Sequence, residues 1–293
     1  MFLQNIHTLL FSILRNHVTH PEWEWIDQKS QAPALELMTA FVAAPRFLSK
    51  QPLELTTEET LQINEVYPGF SLENWNPIRL GRVCLLMSLD TSEQETYVRH
   101  VETLFDTAEM NELVALYSAL PLLSYPEKWL FRATEAVRSN VGVVFDALAL
   151  QNPYPARHFN ELAWNQLVLK TIFNDKPIHL ISGLEERVNE KLALTLADFA
   201  KERWAAGRSV AAQVWRLIPP FVNGTLLETM QQLFQSTNTY DQMAAALACF
   251  HSENVEAKKL LANFPELEKQ VHHQKISWAD LEFSNLNTYV SER

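Results

Sequence analysis

Apolar residues recur at intervals of three and four along nearly the whole chain, and that spacing restricts the fold more than any other feature. Phe2, Leu3, Ile6, Leu9, Leu10, Ile13 and Leu14 draw one stripe along a first helix. A second is predicted from Pro33, a residue tolerated in a first helical turn, through Leu37 and Phe41 to Ala44. Residues 45–56 carry Pro45 and Pro52 and read as a loop. Thr56 followed three residues later by Glu59 forms a capping box that opens a further helix, which Pro68-Gly69 ends. Helices follow at 77–89, 92–105, 108–119, 127–139 and 141–151, parted by short breaks such as Asp90-Thr91 and Pro121. Pro153-Tyr154-Pro155 is the firmest break, because proline removes a backbone donor and keeps its predecessor out of the helix. Further helices are predicted at 158–173, at 189–206 with Gly207 as C-terminal cap, and from Ser209 as N-cap to Pro219-Pro220. The last lie at 224–235, 240–251 and 254–262. The apolar runs 83–87 and 141–145 could suit strands, but their neighbours keep the helical spacing.

The expected fold class is all-α. Its expected form is an irregular stack of antiparallel helices, a HEAT-like α-solenoid or right-handed helical array. No exact repeat period occurs, which sets aside tetratricopeptide and ankyrin arrays. A single all-α domain over 1–293 is expected, with 1–56 as a looser helical cap and 275–293 as a tail without an assigned element. The flexible joints are expected at 45–56 and 264–277.

Only 6 of 293 residues are glycine, and the closest pair, Gly69 and Gly81, stands twelve positions apart. Dinucleotide loops, Walker A loops and nucleophile elbows need glycines a few residues apart, where backbone must bend sharply or approach a phosphate. All three are excluded as standard motifs. No Glu-x-x-His pair, His-Glu-x-x-His motif, Cys-x-x-Cys pair or aspartate cluster is present, so neither a metal nor another cofactor is expected.

The chain carries 24 Lys and Arg against 35 Asp and Glu, a formal charge of −11. Phosphate backbones repel such a surface unless it holds a basic patch, so no nucleic-acid partner is expected. Cys84 and Cys249 sit in apolar strings and read as buried free thiols of a reducing compartment. The first residues lack a leading positive charge and a small-x-small cleavage site, and no stretch approaches the roughly 20 apolar residues that span a bilayer. A cytoplasmic protein is expected.

Several polar groups stand close in sequence. His17 and His20 are three apart, a spacing that suits a shared metal or, more simply, helix-end capping. Asp198 and Glu202 share a helix face and suit either acid–base chemistry or a solvated charged surface. Trp204, Arg208, Trp215 and Arg216 fall within one hairpin; flat apolar walls and guanidinium forks are the usual parts of a small-molecule pocket, and equally of core tryptophans with snorkelling arginines. His158, Glu161 and Asn165 fall at spacings of three and four and would share a face of one helix.

The strings Asn152-Pro153-Tyr154-Pro155, Ala163-Trp164-Asn165-Gln166-Leu167-Val168-Leu169-Lys170, Glu202-Arg203-Trp204-Ala205-Ala206-Gly207-Arg208 and Trp215-Arg216 resemble the EboA family of metabolite-traffic proteins. Glu112-Leu113-Val114-Ala115-Leu116-Tyr117 and Leu120-Pro121-Leu122-Leu123 fit the same family, so the resemblance covers about residues 110–220. It implies a bacterial protein of secondary metabolism, encoded beside metal-dependent-hydrolase-like, prenyltransferase-like and sugar-phosphate-cyclase-like proteins. In cyanobacteria such clusters are associated with moving a metabolite precursor from cytoplasm to periplasm. The implied role is a non-enzymatic carrier that binds a small precursor, a partner enzyme of its gene cluster, or both. The resembling strings mark Asn165, Lys170, Glu202, Arg203, Trp204, Arg208 and Trp215 as the expected ligand or partner surface. The alternatives are an enzyme using Asp198, Glu202 or His158 and a pure protein–protein scaffold.

Overall fold

The computed structural model describes residues 2–282, and every regular element among them is helical. The chain groups into two compact units, residues 1–167 and 168–293.

The first unit holds α1 (Phe2–His17), α2 (His20–Ser30), α3 (Ala34–Ala43), α4 (Thr57–Val66) and α5 (Pro77–Met87). It continues with α6 (Gln94–Thr107), α7 (Met110–Ala119), α8 (Leu130–Arg138), α9 (Gly142–Ala149) and α10 (Tyr154–His158). The helix α11 (Glu161–Phe173) carries the chain on into the second unit. At the centre of the first unit lies α5, against which α1, α2, α3 and α7 all pack. Its Leu80, Val83, Cys84, Leu85 and Leu86 are wholly buried, as in a helix that its neighbours surround. Each such side chain contributes about 1.5–3 kcal/mol on leaving water. Gly81 permits the closeness, because a Cβ there would fall 2.5 Å from Leu48 Cδ1 and 3.2 Å from Ile26 Cδ1.

The second unit comprises α12 (Glu190–Ala205), α13 (Gly224–Phe234), α14 (Thr239–His251), α15 (Val255–Ala262), α16 (Pro265–His272) and α17 (Trp278–Leu281). Here α14 takes the central place, with residues 244–249 buried in one run and α13, α15, α16 and the 3₁₀ turn Ala212–Leu217 around it. Cys84 and Cys249 are both buried and unpaired, and burial pushes the Cys249 thiol up to about 12.

The apolar runs 83–87 and 141–145 are helical, as their spacing predicts, apart from Val141, which caps α9. The Thr56–Glu59 capping box is formed, with Glu59 N donating to Thr56 Oγ1 at 3.2 Å and Thr56 N to the Glu59 carboxylate at 2.9 Å. The same carboxylate accepts from His17 Nε2 at 3.0 Å, which ties the end of α1 to α4. His20 opens α2 and pairs with Glu24 one turn on, so the two histidines hold different carboxylates.

Four expectations need correction. α2 is missing from the sequence reading, although Thr19 and Glu22 close a capping box at its start and Pro21 sits in its first turn. The expected joint at 264–277 contains α16, seated by Phe264 stacked on Phe234 at 4.1 Å and by the buried Val271. Ser209 caps no helix: its carbonyl accepts from Arg203 Nε at 2.6 Å, which folds the chain back over the end of α12 before the 3₁₀ turn Ala212–Leu217. The helix expected over 158–173 is two helices, because Phe159 and Asn160 lie outside both and Asn160 Oδ1 caps α11 through Ala163 N at 2.9 Å. In the expected tail, α17 accounts for 278–281, and 283–293 lie outside the described residues.

Acid should destabilise this protein in two stages. Burial lowers His7 below the ordinary histidine value; at His158 the Arg157 charge adds to burial and at His251 the Lys258 charge does, with Glu127 opposing at His158. The unfolded chain therefore binds more protons than the folded one below about pH 6.5, and stability falls with pH there. Burial raises Glu59 and Glu22, but hydrogen bonds outweigh it: Thr56 and His17 hold Glu59 low, and Thr19 and Ser49 hold Glu22 low. That stabilisation is complete above the unfolded carboxylate value of about 4.5 and lost as pH falls through the lower folded values. Melting temperatures measured at about pH 7.5, 5.5 and 3.5 should fall at each step, and an unchanged value between the first two would refute the histidine contribution.

Candidate functional site

The turn after α7 is held by hydrogen bonds from several elements of the first unit. Tyr125 is held left-handed at φ 56°, ψ 57°, a conformation that costs a non-glycine residue about 1 kcal/mol or more. Four hydrogen bonds impose it. Ser124 N donates to Tyr97 Oη (3.3 Å), Trp129 Nε1 to Ser124 O (2.9 Å), Tyr125 Oη to Thr91 O (2.7 Å) and Tyr154 Oη to Pro126 O (2.5 Å). The rings of Tyr97 and Trp129 beneath it lie 6.1 Å apart. From the other side, Asn152 seats the start of α10: its Nδ2 donates to Tyr117 O (3.0 Å) and Ala147 O (2.9 Å), and its Oδ1 accepts from Tyr154 N (3.0 Å).

Between this turn and α10 opens a cleft of about 450 Å³. Tyr67, Pro121, Leu123 and Pro126 give it apolar wall, and Thr91, Ser124, Tyr125, Arg157 and His158 give it polar groups. The Arg157 guanidinium lies 4.3 Å from the centre of the Tyr67 ring, and the Tyr67 hydroxyl donates to Pro121 O at 2.9 Å. Burial pushes the Tyr67 phenol up, and the Arg157 charge works against it. His158 leans on the Tyr154 ring at 4.7 Å. The volume falls within the range of small-molecule pockets, and the lining mixes apolar wall with a few convergent polar groups.

The surface expected from the sequence is spread over several environments. Asn165 is buried on α11 in the first unit. In the second unit Lys170 is half-buried on the same helix, where burial and then the Lys176 ammonium hold it below its ordinary value. Trp215 is wholly buried and packs on the half-buried Trp204 at 5.9 Å between ring centres. Arg203 is occupied by Ser209 O and lies 5.6 Å from the Phe199 ring. Gly207, at φ 70°, lets Arg208 N reach back to Arg203 O at 2.8 Å, so it caps α12 as expected. Glu202 and Arg208 are exposed at this helix end, and Asp198 is exposed one turn earlier. Arg216 is ion-paired with Glu185 (2.5 Å) and Glu282 (3.2 Å).

His158 is the one group considered from the sequence that reaches the cleft, at the end of α10 and off the Glu161–Asn165 face. The sequence reading passed over Tyr67, Thr91, Ser124, Tyr125 and Arg157. A signal for them was present, since the strings Leu120-Pro121-Leu122-Leu123 and Asn152-Pro153-Tyr154-Pro155 flank the turn and start α10. Among the described residues no helix is long and apolar enough to cross a membrane, and no three His, Cys, Asp or Glu side chains group to hold a metal.

No curated protein and no solved structure matches the chain. Residues 6–219 match the family model described as metabolite traffic protein EboA, beginning far upstream of the strings that resemble the family by eye. The matched stretch is well over half of the chain and includes every residue of the cleft. The chain belongs to the EboA family of metabolite traffic proteins.

Proposed function

We propose that the chain binds a small metabolite in the cleft between Tyr125 and Arg157 and holds it for handover without making or breaking its bonds. The observation that carries this reading is the cleft itself: a cavity of about 450 Å³ that lies wholly within the stretch matched by the family model and takes Pro121 and Leu123 of its wall from one string of the family resemblance. The Tyr67 and Tyr125 hydroxyls are spent on backbone carbonyls, which suits walls better than reactive groups. The residues marked from the sequence take a second place in the proposal. Glu202, Arg203, Trp204 and Arg208, at and just beyond the end of α12, offer a partner surface for a protein of the same gene cluster, with the buried Trp215 packed on Trp204; Lys170 and the buried Asn165 stand apart on α11.

The finer architecture, a HEAT-like stack of antiparallel helices in one domain over 1–293, is likewise a proposal. Sequence neighbours that pack together, such as α8 on α9, α13 on α14 and α14 on α15, support it. A cytoplasmic setting draws support from the two buried thiols. One observation keeps the enzyme reading alongside: of Asp198, Glu202 and His158, His158 lines the cleft.

Mass spectrometry of small molecules co-purifying with the protein tests this directly. Arg157→Ala should lower the bound fraction about tenfold, the worth of a charge-assisted hydrogen bond. Arg208→Ala should retain the small molecule and weaken capture of a cluster protein. The cleft reading fails if Arg208→Ala empties the protein and Arg157→Ala does not.

A further inference from the structure

The cleft is set apart from the rest of this acidic chain by its charge. Acids outnumber bases 35 to 24 overall, yet the lining of the cleft contains Arg157 and His158 and no Asp or Glu. A second cleft of the same unit, about 370 Å³ between α3 and α6, shows the contrast, since Asp90 and Glu93 line it beside His100. Arg157 is exposed, forms no ion pair with a carboxylate among the described residues, and lies against the buried Tyr67 ring, which leaves its N–H groups open to a ligand. The Ser124 and Thr91 hydroxyls likewise donate to no group among the described residues, though the backbone of each is held. Burial and the Arg157 charge, opposed by Glu127, favour neutral His158, which adds one more N–H donor. Glu127 is felt at His158 and Tyr154 but does not line the cleft.

We propose that this cleft binds the oxyanion of a small organic acid, a carboxylate or phosphate carried on an apolar or aromatic body, with Arg157 as its anchor. The inference rests on the cleft being the metabolite's place. A planar guanidinium fixed on a ring offers two parallel donors, the geometry that carboxylate and phosphate oxygens match. The Ser124 and Thr91 hydroxyls add donors to the lining of the same cavity, while Pro121, Leu123 and Pro126 give the organic body an apolar bed.

Four probes of similar size test the proposal on the full chain by ligand-observed NMR titration: phenylacetate, phenyl phosphate, phenylacetamide and benzylammonium. At least one anion should bind about tenfold more tightly than the neutral amide, with the ammonium weakest. Whichever anion binds more tightly identifies carboxylate or phosphate as the favoured source. Arg157→Gln should bring anion and amide to equal affinity. Arg157→Lys should keep part of the preference, because an ammonium retains the charge but loses the fork. Thr91→Trp, at an exposed position, should obstruct the cleft and weaken every probe, and a thermal melt confirms that each variant is folded. An amide or ammonium that binds as tightly as the anions, and is weakened by Thr91→Trp, overturns the oxyanion and leaves the cleft reading standing. Absence of binding by all four probes, or binding indifferent to Thr91→Trp, overturns both.

Discussion

Arg82→Ala should cost about 3–5 kcal/mol of folding stability, a large share of the roughly 5–15 kcal/mol that holds an ordinary domain together. Arg82 is 1% exposed at the middle of α5. Its Nε donates to Phe41 O at 2.9 Å, its Nη2 to Glu112 Oε1 at 3.1 Å, and its Nη1 lies 3.8 Å from Glu109 Oε1. The guanidinium also lies over the Phe41 ring at 5.2 Å. One side chain thus joins the end of α3, the centre of α5 and the start of α7. Burial pulls the guanidinium below its ordinary value, and Glu112 and Glu109 push it back. Truncation leaves the Glu112 carboxylate, 5% exposed, without its cation, and Phe41 O without its donor. The cost is that stranded charge, more than any worth of the pair itself. Arg82→Met combined with Glu112→Met should therefore recover most of the loss. Urea unfolding of the single and double variants decides it, and a double variant as unstable as Arg82→Ala would show that the hydrogen bonds to Phe41 O and within the pair matter more than the stranded charge.

What was legible in the sequence is what depends on neighbours three or four residues apart. The Thr56–Glu59 box, the Gly207 cap and the helical state of the apolar run 83–87 were all readable because cause and effect lie within one or two turns. α2 follows the same rule and was still passed over. Its Thr19-to-Glu22 box has the same form, but Glu22-Trp23-Glu24-Trp25 alternates and hides the apolar stripe. Ser209 looks like an N-cap from its neighbours alone; the Arg203 hydrogen bond that diverts it comes from the preceding helix. The cleft lies further still from local rules. It joins residue 67 to residues 121–126 and 157–158, and nothing near Tyr125 in sequence announces a left-handed backbone. The sequence places Trp204 and Trp215 in one hairpin and leaves pocket and core open for them, whereas the folded chain shows the two rings packed together, Trp215 wholly buried and Arg203 occupied.

Trp129→Ala should cost about 3–5 kcal/mol and loosen the cleft in the same step. Trp129 is wholly buried just before α8, and its ring lies 6.1 Å from Tyr97. Removing it opens a cavity under the turn that carries Ser124 and Tyr125, and neighbours in a packed core refill such a space only in part. Its indole N–H is also the donor to Ser124 O, one of four hydrogen bonds that hold Tyr125 left-handed. With that bond gone, the turn can relax toward an ordinary backbone, and the cleft wall moves with it. Trp129→Phe separates the two effects. It keeps a six-membered ring in the core and drops the donor with a small part of the volume, so about 1–3 kcal/mol should be lost, less than in Trp129→Ala. Hydrogen exchange at residues 123–125 should then speed up in both variants, and exchange in α5 should speed up much more in Trp129→Ala, through its larger loss of global stability. If Trp129→Phe leaves exchange at Ser124 and Tyr125 unchanged, the indole hydrogen bond is not what pins the turn, and the strain at Tyr125 is held by the Thr91 and Tyr154 contacts instead.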